Sequence, residues 1–127
     1  MVGIVVVSHS KQAAAGIREI AQEMGGDARI EAVGGTEDGR IGTTPGPIGD
    51  AIETANGDGE GVVVLVDLGS AVMNAEVAIE TTDVDVAIAD APILEGTLNA
   101  AVAATAADAT VESVRTAAED AADVSKV

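Results

Sequence analysis

The chain has 127 residues, with 22 acidic against 6 basic side chains for a net charge of −16, and no Cys, Phe, Tyr or Trp. A single domain of this size buries enough surface to fold without a covalent staple. Disulfides and thiolate metal sites are excluded, and without a basic patch or an aromatic stacking platform neither nucleic acid nor an anionic membrane surface is expected as a partner.

The core has to be built from Val, Ile, Leu, Met and Ala. Self-repulsion among so many carboxylates destabilises a compact state. At ~1 M salt the Debye length falls to ~3 Å and most of it is screened. Abundant Asp and Glu with few Lys therefore predict a halophilic protein. The apolar opening is too short for a signal peptide and lacks its basic flank. No stretch approaches the ~20 apolar residues of a membrane span, so a cytoplasmic location is expected.

The first predicted strand is Val2 to Val7, unalternated as in a strand covered on both faces. Lys11 to Met24 follows as a helix with Ala13, Ile17, Ile20, Ala21 and Met24 on one face, ended by Gly25-Gly26. Ile30 to Val33 is a short second strand. The Gly-rich segment from Gly34 to Pro47 reads as a long loop, of the kind that often carries function. Ile48 to Ala55 is a helix, Gly61 to Asp67 the third strand and Ser70 to Thr81 the next helix. Val84 to Ala89 alternates in part, as an edge strand does. Pro92 opens an Ala-rich helix. Thr110 caps a last one, reaching about Val124, with Val111, Val114, Ala117, Ala118 and Ala121 at helical spacing. Strands alternating with helices predict one α/β domain over residues 1–127: a mainly parallel sheet of four to five strands, order 2-1-3-4, with helices on both faces.

In such a sheet, ligands sit beyond the carboxyl ends of the strands. Ser8-His9-Ser10 follows strand one, Asp67-Leu68-Gly69-Ser70 follows strand three, and Asp90-Ala91-Pro92 follows strand four. The Gly42-Thr43-Thr44 loop joins them from the side of strand two. His9 is the single histidine of the chain. It stands before a helix N-terminus, where backbone N–H groups and the helix dipole favour an anion. A neutral imidazole beside an anion cradle suits phosphoryl transfer better than acyl transfer. Asp67 is placed to accept a hydrogen bond from one ring nitrogen and leave the other free to attack. Ser8, Ser10, Thr43, Gly69 and Ser70 are the candidate phosphoryl-binding residues, with Thr44 beside them. Taken singly, each is also an ordinary cap or turn residue, and His9 alone an ordinary surface histidine. No Gly-rich loop ends in Lys-Ser or Lys-Thr, so there is no Walker site. One histidine and no cysteine argue against zinc, and strand one lacks the acidic cluster of a receiver-type magnesium site.

"VVVSHS", the "GTT" loop, "VVLVDLGSAVMNAEVAIE" from Val63 to Glu80 and "DAPILEGTLNAAVAA" from Asp90 to Ala104 together resemble the mannose-type enzyme IIA domain of the phosphotransferase system. More narrowly, they are similar to the DhaM-type phosphotransfer subunits of phosphoenolpyruvate-dependent dihydroxyacetone kinases. The resemblance spans nearly the whole chain. It implies that His9 accepts a phosphoryl group from the carrier protein HPr and passes it to ADP held on a separate kinase subunit, with Asp67 orienting the ring. It further implies a homodimer, no permanently bound cofactor on this chain, and a donor on a separate protein, since no second histidine is present. Sugar-permease relatives more typically carry Gly-Gly-Ser-Pro after the aspartate, where this chain has Leu68-Gly69-Ser70-Ala71. Enzyme IIA of a sugar permease and a non-catalytic regulatory or ligand-binding module are the alternative readings.

Overall fold

The computed structural model describes all residues, 1–127. Elements follow in the order β1 (Gly3–Ser8), α1 (Lys11–Gly25), β2 (Ile30–Gly34), α2 (Pro45–Asn56), β3 (Val62–Val66), α3 (Gly69–Glu80), β4 (Val86–Ile88), α4 (Ile93–Ala104) and α5 (Val111–Asp120), then a 3₁₀ turn (Ala121–Asp123). The sheet has four strands in the order β2-β1-β3-β4, all paired in parallel. The range of four to five strands resolves to four, and the predicted order is the one observed.

Every residue of β1 is buried, because helices cover both faces. Ile4 and Val6 join Val63 and Leu65 under α1, α4 and α5. Val5 and Val7 join Val62 and Val64 under α2 and α3. The chain therefore winds outward from β1 to β2, crosses back to β3, and winds outward again. β1 and β3 are adjacent at the point where the winding reverses, and their carboxyl ends open a crevice there.

Most boundaries agree with the sequence reading to within a residue; the differences with a physical cause, and one helix face, are these. The helix expected at Ile48 begins at Pro45, since a proline at N1 needs no N–H partner and arrives with its φ already set. β1 runs one residue further, to Ser8. β4 is shorter than expected because the Val84 N–H is taken by the Thr82 side chain at 3.2 Å instead of a neighbouring strand. The last helix stops at Asp120 and tightens into the 3₁₀ turn. On α1 the buried residues are Ala14, Ala21 and Gly25, while Ile20 and Met24 stay exposed. The reason is the partner: α4 offers Ala100, Ala101 and Ala104, and two small-residue faces approach more closely than bulky ones. A Cβ added at Gly25 would sit 2.6 Å from that of Ala101. Close contact replaces side-chain bulk as the source of packing in this aromatic-free core.

No acidic side chain is buried. Arg40, Arg115 and Lys126 pair with Asp38, Glu112, Glu119 and Glu95, and most other carboxylates face solvent without a cation. Surface pairs of this kind contribute little, so repulsion over the whole surface dominates. We expect the thermal midpoint to climb as KCl rises from about 0.1 M to about 1 M, over which the Debye length shrinks from about 10 Å to about 3 Å. A midpoint indifferent to salt in a melting series would show that self-repulsion does not limit this fold. No helix is long and apolar enough to cross a membrane.

Candidate functional site

β1 ends at Ser8, and the chain turns sharply through His9 and Ser10 into α1. Ser10 is the N-cap, its hydroxyl oxygen accepting the Ala13 N–H at 3.2 Å. The turn is packed tightly against β2. A Cβ on Gly34 would lie 2.5 Å from the Ser8 carbonyl oxygen, so only glycine lets the strands stay this close. β3 ends one residue before Asp67, whose N–H still donates to the Val7 carbonyl at 3.2 Å and continues the ladder. That bond brings the carboxylate to the end of β1.

Three donors converge on Asp67. Its Oδ1 accepts from His9 Nδ1 at 2.9 Å. Its Oδ2 accepts the His9 backbone N–H at 2.9 Å and the Ser8 hydroxyl at 2.9 Å. A carboxylate only accepts, so Nδ1 carries a ring hydrogen, and in the neutral ring Nε2 carries the lone pair. Ser70, at the start of α3, places its hydroxyl 2.7 Å from Nε2, donating to it. The imidazole is thereby fixed at both nitrogens, with its side chain 18% exposed. Partial burial pushes the Asp67 carboxyl upward. The His9 backbone N–H, the His9 ring and the Ser8 hydroxyl outweigh it and hold the group below the usual carboxylate range.

The expected residues divide by role. His9, Asp67 and Ser70 meet directly. Ser8, expected to face a phosphoryl group, is 2% exposed, and its one hydroxyl hydrogen is committed to Asp67. Its oxygen accepts the Ser10 N–H at 3.1 Å, so it braces the turn. Ser10 keeps its hydroxyl hydrogen free at the N-terminus of α1. Gly69 opens α3, and a Cβ there would meet nothing, so space is left above the first turn. That turn has no intrahelical use for the Gly69 and Ser70 N–H groups, which are free for an anion.

Residues 35–44 carry the remaining candidates. Gly42 donates its N–H to the His9 carbonyl at 2.8 Å, from a backbone with φ 151° that favours glycine. Thr43 is held by Asn74, whose Nδ2 donates to the Thr43 hydroxyl at 2.6 Å and to its carbonyl at 3.2 Å. Thr44 is the N-cap of α2, yet its hydroxyl is buried without a partner. The third residue of that helix is Pro47, so the N–H a capping threonine commonly binds does not exist. Sequence reasoning missed Asn74. The signal was there, since Asn74 follows Ser70 by four residues and shares its helix face.

A cavity of about 540 Å³ reaches Asp67 from the α3–β4 side, lined by Leu68, Val72, Glu76 and Asp90 among others. His9 is not part of its wall, and Glu76 and Asp90 make it unfavourable to anions. The histidine lies at the switch point, outside that cavity, with only a small part of its ring reaching solvent.

The family model described as the PTS system fructose IIA component matches residues 3–115. The phosphoryl donor subunit DhaM of Listeria innocua dihydroxyacetone kinase 1 is 45% identical over 94 residues, 74% of each chain. The phosphotransferase subunit DhaM of Lactococcus lactis is 37% identical over 113 residues, 89% of each chain. A solved structure of a protein of unknown function superposes with a TM-score of 0.80 at 33% identity, covering 94% of this chain and 95% of that one. A lone histidine braced by aspartate at the β1–β3 switch point, in a chain matched over nearly all its length, places this protein in the mannose-type enzyme IIA family of the phosphotransferase system, among the DhaM phosphoryl donor subunits.

Proposed function

We propose that the chain is a phosphohistidine carrier that takes a phosphoryl group from HPr on His9 Nε2 and delivers it to ADP held on a dihydroxyacetone kinase subunit. The observation that carries this reading is the ring fixed by Asp67 at Nδ1, with its lone pair on Nε2 held by a movable hydroxyl. In the forward step the Nε2 lone pair forms the new N–P bond as the donor's N–P bond breaks. The electron pair of the broken bond returns to the donor imidazole. The ring then bears phosphoryl on Nε2 and hydrogen on Nδ1, so it is cationic, and the Asp67 carboxylate offsets that charge. Ser70 turns its hydroxyl from Nε2 to a phosphoryl oxygen. The hydroxyls of Ser10 and Thr43 and the first N–H groups of α3 supply further donors. Transfer onward to ADP reverses the same motions. Such chemistry rests on position and charge rather than on additional covalent steps. No nucleotide is held by this chain in this reading; ADP and ATP stay on the partner. A cytoplasmic homodimer in a salt-rich interior completes it.

Both partners have to dock around a ring that is mostly shielded. Leu68 at the N-cap of α3, Met73 on its next turn and Ile41 on the loop are exposed apolar side chains around the site, Met73 to 70%. Apolar anchors within an acidic surround suit a partner with an apolar centre and a basic rim. Met73→Asp is expected to raise the KM for phosphorylated HPr about tenfold with kcat changed less than about twofold, as for loss of one docking anchor. Steady-state transfer kinetics at fixed salt check this, and an unaltered KM would move the docking face elsewhere.

The direct test uses phosphoenolpyruvate, enzyme I and HPr, with labelled phosphoryl followed on the chain. Acid-labile, base-stable label is expected, and it should discharge to ATP when the ADP-loaded kinase subunit is added. A chain that takes no label is not a carrier. A labelled chain that keeps its label with the kinase subunit present, and discharges to a sugar-permease component, serves sugar transport instead.

A further inference from the structure

Asn74 is used by nothing described so far except the loop it holds. Its Nδ2 donates to Thr43 Oγ1 at 2.6 Å and to the Thr43 carbonyl at 3.2 Å, across 31 residues of sequence. The neighbouring residue, Gly42, donates to the His9 carbonyl at 2.8 Å. The loop is thus anchored on one side to the catalytic turn and on the other to α3. Asn74 stands one helical turn from Ser70, about 5–6 Å along the same face. Ser70 itself touches Nε2. The bond to Asn74 therefore ties Thr43 to the same helix, α3, whose Ser70 contacts Nε2.

The direction of the Asn74–Thr43 bond decides what Thr43 can do. An amide NH₂ donates and cannot accept. With Nδ2 on the oxygen, the hydroxyl hydrogen of Thr43 points elsewhere, and it meets no acceptor in the chain. Thr44 shows the contrast: its neighbouring hydroxyl is shut in without any partner at all.

We propose that Asn74 is a positioning residue for phosphoryl transfer, fixing Thr43 as an obligatory hydrogen-bond donor to the phosphoryl group on His9. This rests on His9 being the phosphorylated residue. In the unphosphorylated state the Thr43 hydroxyl hydrogen has no acceptor in the chain. On phosphorylation it donates to an oxygen that Ser70 does not reach. Asn74 never touches the phosphoryl group; it acts through Thr43.

The test compares Asn74→Ala, Asn74→Asp, Thr43→Val, Thr43→Ser and the double variant Asn74→Ala/Thr43→Val. The readouts are the ³¹P resonance of the phosphohistidine and the single-turnover rate of its discharge to ADP on the kinase subunit. Loss of one hydrogen bond to a charged group predicts a discharge about tenfold slower in Asn74→Ala and in Thr43→Val, with a shifted ³¹P resonance in both. The double variant should be no slower than the slower single one, because both changes remove the same donor. Asn74→Asp is close in size but reverses the direction of the bond: its carboxylate draws the Thr43 hydrogen to itself and no longer donates to the Thr43 carbonyl. It should be at least as slow as Asn74→Ala, while Thr43→Ser, which keeps the hydroxyl donor, should discharge near the wild-type rate; a Thr43→Ser chain as slow as Thr43→Val would show a packing role alone and overturn the proposal. Asn74→Asp also keeps the test open if Asn74→Ala fails to fold, as circular dichroism would reveal. Wild-type resonance and rate in Asn74→Asp, or multiplying effects in the double variant, overturn the proposal. A wild-type chain that takes no label defeats the reading of His9 instead, which separates the two failures.

Discussion

His9→Ala is expected to take no phosphoryl label above background while keeping the fold. Loss is complete because no other residue offers an equivalent nucleophile: the chain has no cysteine and no second histidine. The fold survives because His9 contributes little that its backbone does not. The His9 N–H still reaches Asp67 Oδ2, and its carbonyl still accepts from Gly42. Removal of the ring leaves Asp67 Oδ1 and the Ser70 hydroxyl to water at the rim of the sheet, at a cost of about 1 kcal/mol, typical of one net hydrogen bond. Circular dichroism and melting should match wild type closely. Label on the folded His9→Ala chain would relocate the phosphorylated group and remove the mechanism.

Asp67→Asn should be worse than Asp67→Ala, an order that follows from counting donors. Oδ2 receives two of them, the His9 N–H and the Ser8 hydroxyl. The amide oxygen of asparagine takes that place, and its NH₂ is turned to face Nδ1. A donor there requires Nδ1 without hydrogen, so the hydrogen moves to Nε2 and the nucleophile is lost. We expect phosphorylation by HPr to slow by about 10³–10⁴-fold, the scale on which a wrong histidine tautomer acts in other triads. Alanine removes orientation and charge compensation but imposes no tautomer, so about 10²-fold is expected. Rapid-quench labelling decides between them, and an alanine variant slower than the asparagine one would contradict the tautomer argument.

The same carboxylate has a pH signature. Its folded pKa lies below its unfolded value, so its contribution to stability is whole above the usual carboxylate range. That contribution is lost as pH falls through about 3.9, the ordinary aspartate value, and on through the lower folded one. The stability gap between wild type and Asp67→Asn should therefore close in acid. Protonation of the other surface carboxylates relieves repulsion over the same range and stabilises both proteins alike, so the difference between them, and not either curve alone, reports Asp67.

Periodicity and strand-end logic carried the sequence a long way. Runs of Val and Ile without alternation marked β1 and β3 as doubly covered strands, and their order placed Ser8-His9-Ser10 and Asp67-Leu68-Gly69-Ser70 at one edge. Those signals are local: they are written in steps of two residues or 3.6, and they do not depend on what packs against them. What only the tertiary structure decided is non-local. The hydrogen on Nδ1 is set by a carboxylate 58 residues away, and the lone pair on Nε2 by a hydroxyl 61 residues away. Ser8 has the sequence position of a phosphoryl-binding residue, yet it braces Asp67, because a strand's last side chain faces whichever neighbour the sheet supplies. The buried face of α1 was misjudged for the same reason. Hydropathy favours Ile20 and Met24, but the alanine surface of α4 accepts only Ala14, Ala21 and Gly25. A chain can state which residues are able to bond or bury, whereas the partner that consumes each bond is fixed only when distant segments meet.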